Sequence, residues 1–421
     1  MKPRIIAFYL PQFHTIPEND EWWGKGFTEW VNVRKAKPLY SEHQQPKVPL
    51  NSNYYDLTNP ETLRWQAGLA NKYGVYGMCM YHYWFCGKLL LQKPAELLLA
   101  NADIPMRFCF SWANEPWART WDGKNHEILM PQSYGMEQDW KQHFDYLLPF
   151  FKDERYIKVD GCPMFLIYKP QSIPCAKQMM DCWNELAAGN GFNGMHFVET
   201  LRGKQTDKRN LPFKARVEFE PIRTNMQQPA AILNYKRIRR RVVKLFNAVF
   251  NTSHMLNKPF RFDDVAHRSL QLQSPVGTYG GAFVGWDNTA RRGLASTIVE
   301  PPAKQQFETY LRAKVKQTTC TYKTNYVFIN AWNEWAEGAT LEPDETHGYG
   351  YLEAIYLRDE FGMLPIYIPK IYNAKDFFEL RSIYGFNKCK EFIIETYNKI
   401  NDYVTRNQSI RNKETNDIMP F

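Results

Sequence analysis

Short apolar runs recur along the chain, and each gives way to polar or aromatic residues where it ends. They cover 5–10, 76–81, 106–110, 163–167, 195–198, 216–219, 281–284 and 326–329. Runs this short, rich in β-branched and aromatic residues and bounded by turn signals, predict strands buried on both faces. Between several of them, at 60–73, 136–151, 174–190 and 302–318, apolar residues recur three and four apart, which predicts helices packed by one face. Strand and helix alternating eight times predict an α/β fold, a parallel (β/α)8 TIM barrel. The sixth run carries charges where the others do not. In such a barrel the residues following the strand C-termini gather on one face, where active sites form.

Three segments break the alternation. Residues 15–58 make a long first loop rich in Trp, Pro and Asn, which predicts a structured cover over the barrel mouth. Residues 222–280 form a second long insertion, after the sixth strand. Beyond 364 the pattern is helical and less apolar, and it closes in a polar tail. The predicted division is a catalytic barrel over 1–363, interrupted by 222–280, and a helical C-terminal extension over 364–421.

The eighth run leads into Trp332-Asn333-Glu334-Trp335-Ala336-Glu337-Gly338, with two carboxylates three residues apart between indoles and a glycine that permits a sharp bend. On one helical turn that spacing places both carboxylates on the same face. Two acids held close in partly apolar surroundings acquire different pKa values, which separates an acid from a base. Glycosidic cleavage needs that pair. A lone Glu-x-x-Glu more often starts a solvated helix; the Trp flanks, the strand end and Gly338 favour a site.

Other strand ends supply groups suited to sugar hydroxyls and ring faces. The first ends in Tyr9 and Gln12, the second in His82 and Tyr83, the third in Trp112, Asn114 and Glu115, the fourth in Tyr168, and the seventh in Trp286 and Asp287. Asn333 precedes the acid pair, and Trp30 closes an aromatic run over 22–30 that reads equally as a structural plug or a stacking wall. Asp287 can also be a helix N-cap. Arg291 and Arg292, in the loop adjoining the acid pair, suit a carboxylate or phosphate or can orient the pair. Glu342 and His347 lack the spacing of a metal-ligand set, so no metal and no cofactor are expected.

Composition changes the picture in two places. Hydrophobic residues at 44% and charged residues at 23% are ordinary, but aromatics reach 15%, with 13 Trp and 25 Tyr. The formal charge is +9, yet six basic residues fall within 236–244 and the remainder is close to neutral, which argues against nucleic acid as a partner. That window reads first as a solvated helix and second as a weak contact for an anionic surface. Eight cysteines show neither CxxC nor metal spacing. The first strand follows Met1-Lys2-Pro3-Arg4 without an apolar leader, and no run of about 18 apolar residues occurs, so no transmembrane segment and a cytoplasmic location are expected.

The runs Trp332-Asn333-Glu334-Trp335-Ala336-Glu337-Gly338, Leu341-Glu342-Pro343-Asp344 and Gly285-Trp286-Asp287-Asn288-Thr289-Ala290-Arg291-Arg292-Gly293, with the N-terminal Tyr9-Leu10-Pro11-Gln12-Phe13-His14, resemble the WbsX-like proteins, which group with glycoside hydrolase family 99. The likeness spans roughly residues 4–361. It implies a retaining endo-glycosidase barrel in which the first glutamate draws a proton from the sugar's own 2-hydroxyl and the second protonates the leaving oxygen. By that resemblance Glu334 is the base and Glu337 the acid, and Glu337 is expected to hold its proton to higher pH. The expected activity is cleavage of an oligo- or polysaccharide, of the bacterial surface type. Two alternatives stand beside it: a glycosyltransferase of polysaccharide synthesis, and a non-catalytic glycan-binding barrel, against which the presence of both glutamates argues.

Overall fold

All eight predicted strands form and lie side by side in chain order. They are β1 (Arg4–Tyr9), β2 (Val75–Phe85), β3 (Phe108–Trp112), β4 (Cys162–Ile167), β5 (His196–Leu201), β6 (Ala215–Glu218), β7 (Thr278–Phe283) and β8 (Tyr326–Asn330). Each pairs in parallel with the next, and β8 pairs with β1 to close the barrel. This computed structural model describes residues 3–119, 127–203, 207, 209–227, 238, 241–243, 245, 249 and 259–356. The C-terminal extension expected over 364–421 therefore lies outside the described residues, as does most of the basic window 236–244. No helix among the described residues is long and apolar enough to cross a membrane.

Helices Pro60–Lys72, Lys93–Ala100, Glu137–Lys152 and Ala176–Gly189 follow β1 to β4, and Phe262–Gln271, Lys304–Lys316 and Gly350–Tyr356 complete the outer layer. Between β5 and β6 the described residues include no helix. There Arg209, braced by Asp207, ties the connection down by donating to the Ile173 carbonyl at 2.6 Å and the Pro170 carbonyl at 2.8 Å.

Pleating sends alternate side chains into the barrel and out to the helices. Phe8 points inward, its ring 5.0 Å from Phe219, 5.5 Å from Phe328 and 5.9 Å from Tyr81. Its neighbour Tyr9 points outward and donates to Gln66 on helix Pro60–Lys72 at 2.8 Å. The charges of β6 are matched: Arg216 donates to Glu199 at 3.0 Å, and Glu218 is buried beneath the helices. Gly281 of β7 is needed at this crossing, because a Cβ there would lie 2.1 Å from the Glu218 carbonyl oxygen.

Candidate active site

Past β8 the chain forms a small hairpin. Asn333–Glu334 pairs antiparallel with Ala339–Thr340, and a 3-10 turn, Trp335–Glu337, makes the tip. The α-helical turn expected from the sequence is thus replaced by a tighter one. In 3-10 geometry positions i and i+3 eclipse, so Glu334 and Glu337 still share a side. Gly338 closes the turn at φ 59°, and a Cβ there would come within 2.8 Å of the Asp287 Cβ. Asn333 clasps the hairpin to the end of β1, accepting from Leu10 N at 2.7 Å and donating to Leu10 O at 3.0 Å.

The two indoles of the motif face the core. Trp332 and Trp335 donate to the Glu342 carboxylate at 2.9 and 2.7 Å, joined by Tyr55 at 2.8 Å and Gln66 at 2.7 Å. Burial dominates these four neutral donors and lifts Glu342 to about 7.

Arg291, on a short helix after β7, binds the acid pair together. Its Nη1 donates to Glu337 at 2.6 Å and its Nη2 lies 3.5 Å from Glu334 Oε2. On the other side its Nε and Nη2 reach Glu29 Oε2, at 3.1 and 3.0 Å. Three buried or half-buried carboxylates thus surround one guanidinium. Burial, then the Glu337 charge, push Glu334 up to about 8, and Arg291 offsets only part of this. Burial also raises Glu337, but its short bond to Arg291 opposes the rise. Glu334 Oε2 is buried with no hydrogen-bond partner among the described residues. Burial thus raises both carboxyls, Glu334 to about 8, so the free protein does not single out Glu337 as the group that holds its proton to higher pH.

Both carboxylates open on a cleft of about 960 Å³ at the C-terminal ends of the strands. Its walls are strongly aromatic, with Trp23, Tyr81, Tyr83, Trp117, Tyr168, Phe219, Phe260 and Trp286, and its polar lining includes Gln12, Asn225 and Asn288. Stacking faces beside a few amides and carboxylates suit a ring bearing hydroxyls. Among the described residues no cluster of His, Cys, Asp or Glu could hold a metal ion.

The chain matches the family described as Glycosyltransferase WbsX over residues 5–355. It belongs to the WbsX family. The WbsX-family chain is 38% identical over 352 residues to the uncharacterized protein WxcX of Xanthomonas campestris pv. campestris, and 37% identical over 353 residues to WxcX of strain B100. Each match covers 83% of this chain and 48% of the relative, so the chain spans about half the length of the curated relatives it matches. Its fold is similar to the GH99 endo-alpha-mannosidase from Bacteroides thetaiotaomicron, at TM-score 0.52 and 15% identity, covering 85% of this chain and 96% of that one. A glycoside hydrolase-like protein aligns with TM-score 0.52 at 13% identity, over 86% and 95% of the two chains. The WbsX barrel thus has a glycoside hydrolase-like fold.

Of the residues singled out in the sequence, Gln12, Tyr83, Tyr168, Trp286, Arg291, Arg292, Glu334 and Glu337 line the cleft of this WbsX-family chain. The others have different positions. Tyr9, His82 and Trp112 lie on the outward pleat. His82 shares a hydrogen with His143 of helix Glu137–Lys152 at 2.8 Å, and Trp112 donates to the Trp84 carbonyl at 3.1 Å. Trp30 is a plug, its ring packed at a tilt 4.5 Å from Phe13 and 5.6 Å from Trp335. Asn114 clasps the Lys169 backbone through both its amide atoms at 2.8 Å. Glu115 sits between Lys169 at 2.9 Å and Arg202 at 3.2 Å. Asp287 accepts from Gln45 at 2.6 Å and Thr289, and lies 2.7 Å from His43, latching the first loop to the seventh. Glu29, Tyr81 and Trp117 were not singled out. Only Glu29 had a signal, as an acid inside an aromatic loop, and it pointed equally to a surface helix start.

Proposed function

We propose that the cleft binds an oligo- or polysaccharide and that Glu334 and Glu337 act on a glycosidic bond within it, hydrolysing it with retention through the sugar's own 2-hydroxyl. One observation carries this reading: two carboxylates on one turn, sharing one arginine, at the wall of an aromatic cleft. An acid–base pair needs one proton between two groups. Glu337 uses it on the leaving oxygen, while Glu334 must be ionised to accept the 2-hydroxyl proton as that oxygen attacks C1. On this reading Glu337 is protonated and Glu334 ionised in the sugar complex, and the pH profile reports the pair rather than either residue. The likeness to an endo-alpha-mannosidase supports the reaction class; it does not supply the sugar.

A 2-deoxy substrate tests the mechanism. It should bind and stay intact, while the parent glycoside is cleaved with retention seen by proton NMR; cleavage of the 2-deoxy sugar at the parent rate overturns participation by the 2-hydroxyl. Arg241 and Arg292, which line the same cleft, favour a second reading, because they suit the phosphates of an activated sugar donor. Transfer from a nucleoside diphosphate sugar to an acceptor saccharide, without release of free sugar, would establish that reading instead.

A further inference from the structure

Glu29 begins helix Glu29–Lys35 in the first loop and is completely buried. It is absent from the cleft lining and so has no access to a substrate. Its backbone N–H donates to the Gln12 carbonyl at 3.1 Å, and Asn32 donates to its Oε1 at 3.3 Å, which leaves Oε2 aimed at Arg291. A guanidinium is a rigid fork, so holding Nε and Nη2 on one side directs Nη1 to the other. That remaining nitrogen is the one on Glu337, at 2.6 Å.

We propose that Glu29 is a positioning residue of the acid pair: it anchors Arg291 between Glu334 and Glu337, and its charge sets how much of the arginine's field reaches them. The inference rests on the reading of Glu334 and Glu337 as the reacting pair. Three carboxyl groups share one cation, with Arg292 as a further positive neighbour of Glu337. The other titratable groups facing the pair are Tyr81, Tyr83 and Tyr168, which burial keeps neutral far above physiological pH. Removing the Glu29 charge frees Arg291 to favour the ionised forms of both catalytic glutamates. Removing the Arg291 charge does the opposite.

The test reads the carboxyl titrations of Glu334 and Glu337 directly, by carbon-13 NMR of the full chain labelled at its glutamate carboxyls and assigned with Glu334→Gln and Glu337→Gln. In Glu29→Gln both titrations should move to lower pH, by about half a unit to one unit. In Arg291→Gln both should move to higher pH. If Glu29 only props up the loop, either its loss leaves the titrations in place or both variants drift toward the exposed-glutamate value of about 4.3; each result overturns the proposal. Should Glu29→Gln not fold, Glu29→Asp keeps the charge on a shorter stem. Its titrations should hold while kcat falls about tenfold or more at little-changed KM, and titrations that shift as for a lost charge would count against the proposal. The titration readings need no substrate. Absence of glycosidic activity in the unmodified chain would sink the proposed function and leave them standing, whereas unmoved titrations would sink this inference alone.

Discussion

Glu218 and Glu334 are both nearly inaccessible to solvent, yet the barrel pushes them in opposite directions. Glu218 loses water and gains a complete replacement. Lys314 donates to it at 3.0 Å, Arg223 at 3.0 Å, Ser274 at 2.7 Å, Tyr322 at 2.9 Å and the Gly281 N–H at 3.2 Å. Burial alone would raise its pKa; two adjacent cations outweigh that and hold it below the ordinary carboxylate value. Glu334 loses water as well, but its one nearby cation is shared with Glu29 and Glu337, and one oxygen has no hydrogen-bond donor among the described residues. Glu342 falls between them, with four neutral donors. The series shows that dipoles soften the cost of burying a carboxylate but cations decide its sign. The incompletely satisfied acid is the one that opens on the cleft, where a ligand can complete it.

The sharpest way to break this comparison is Glu334→Gln. Activity should fall about 10²–10⁴-fold, azide should not restore it, and the melting temperature should hold, since a repelled carboxylate has been replaced by a neutral amide. A melting loss as large as that of a Glu218 partner would make Glu334 a structural residue. On the other cluster, Lys314→Met leaves a buried carboxylate short of a cation and should lower unfolding stability by about 3–5 kcal/mol in urea. Turnover per folded molecule should stay near that of the unmodified chain, because Lys314 lies under the helix layer and not in the cleft.

The pH dependence sharpens the contrast. A carboxyl whose folded pKa is raised binds protons more tightly when folded, so its stabilisation is present below its unfolded pKa and is lost as pH rises through the folded one. For Glu342 and Glu334 that loss runs up to about 7 and about 8 respectively. Glu218 and Asp287 are lowered, so their stabilisation is present above the ordinary carboxylate pKa and fails as pH falls. Stability should therefore decline from weakly acidic to weakly alkaline pH, by at most about 1.4 kcal/mol per pH unit for each raised group. Glu342→Gln should flatten part of that slope in urea titrations; a slope identical to that of the unmodified chain would remove Glu342 from the account. The smallest effect belongs to Glu115→Gln. Its ion pairs with Lys169 and Arg202 are about a third exposed, and it should cost about 0–1 kcal/mol, falling further with added salt.

The strand pattern was legible because a barrel strand buried on both faces is apolar almost throughout, and all eight runs formed. Even the charged sixth run reads correctly once Arg216 is seen to find Glu199. The acid pair was legible because it stands where the apolar run stops. What could not be read at strand ends was which pleat faced inward. Tyr81 and Tyr83 point to the cleft while His82, between them, packs on the helix layer. Both kinds of position are buried and aromatic, so composition alone does not separate them.

By itself, then, the sequence determined the barrel, the order of its strands, and a Glu-x-x-Glu pair at the end of the last one. Those depend on periodicity and spacing, which are local properties of the chain. Tertiary structure alone decided that the pair sits on a 3-10 turn, that Arg291 ties it to Glu29 some 262 positions away, and that burial raises both of its carboxyls. A pKa is set by whatever charges and dipoles lie within a few ångströms, and those neighbours come from loops distant in sequence.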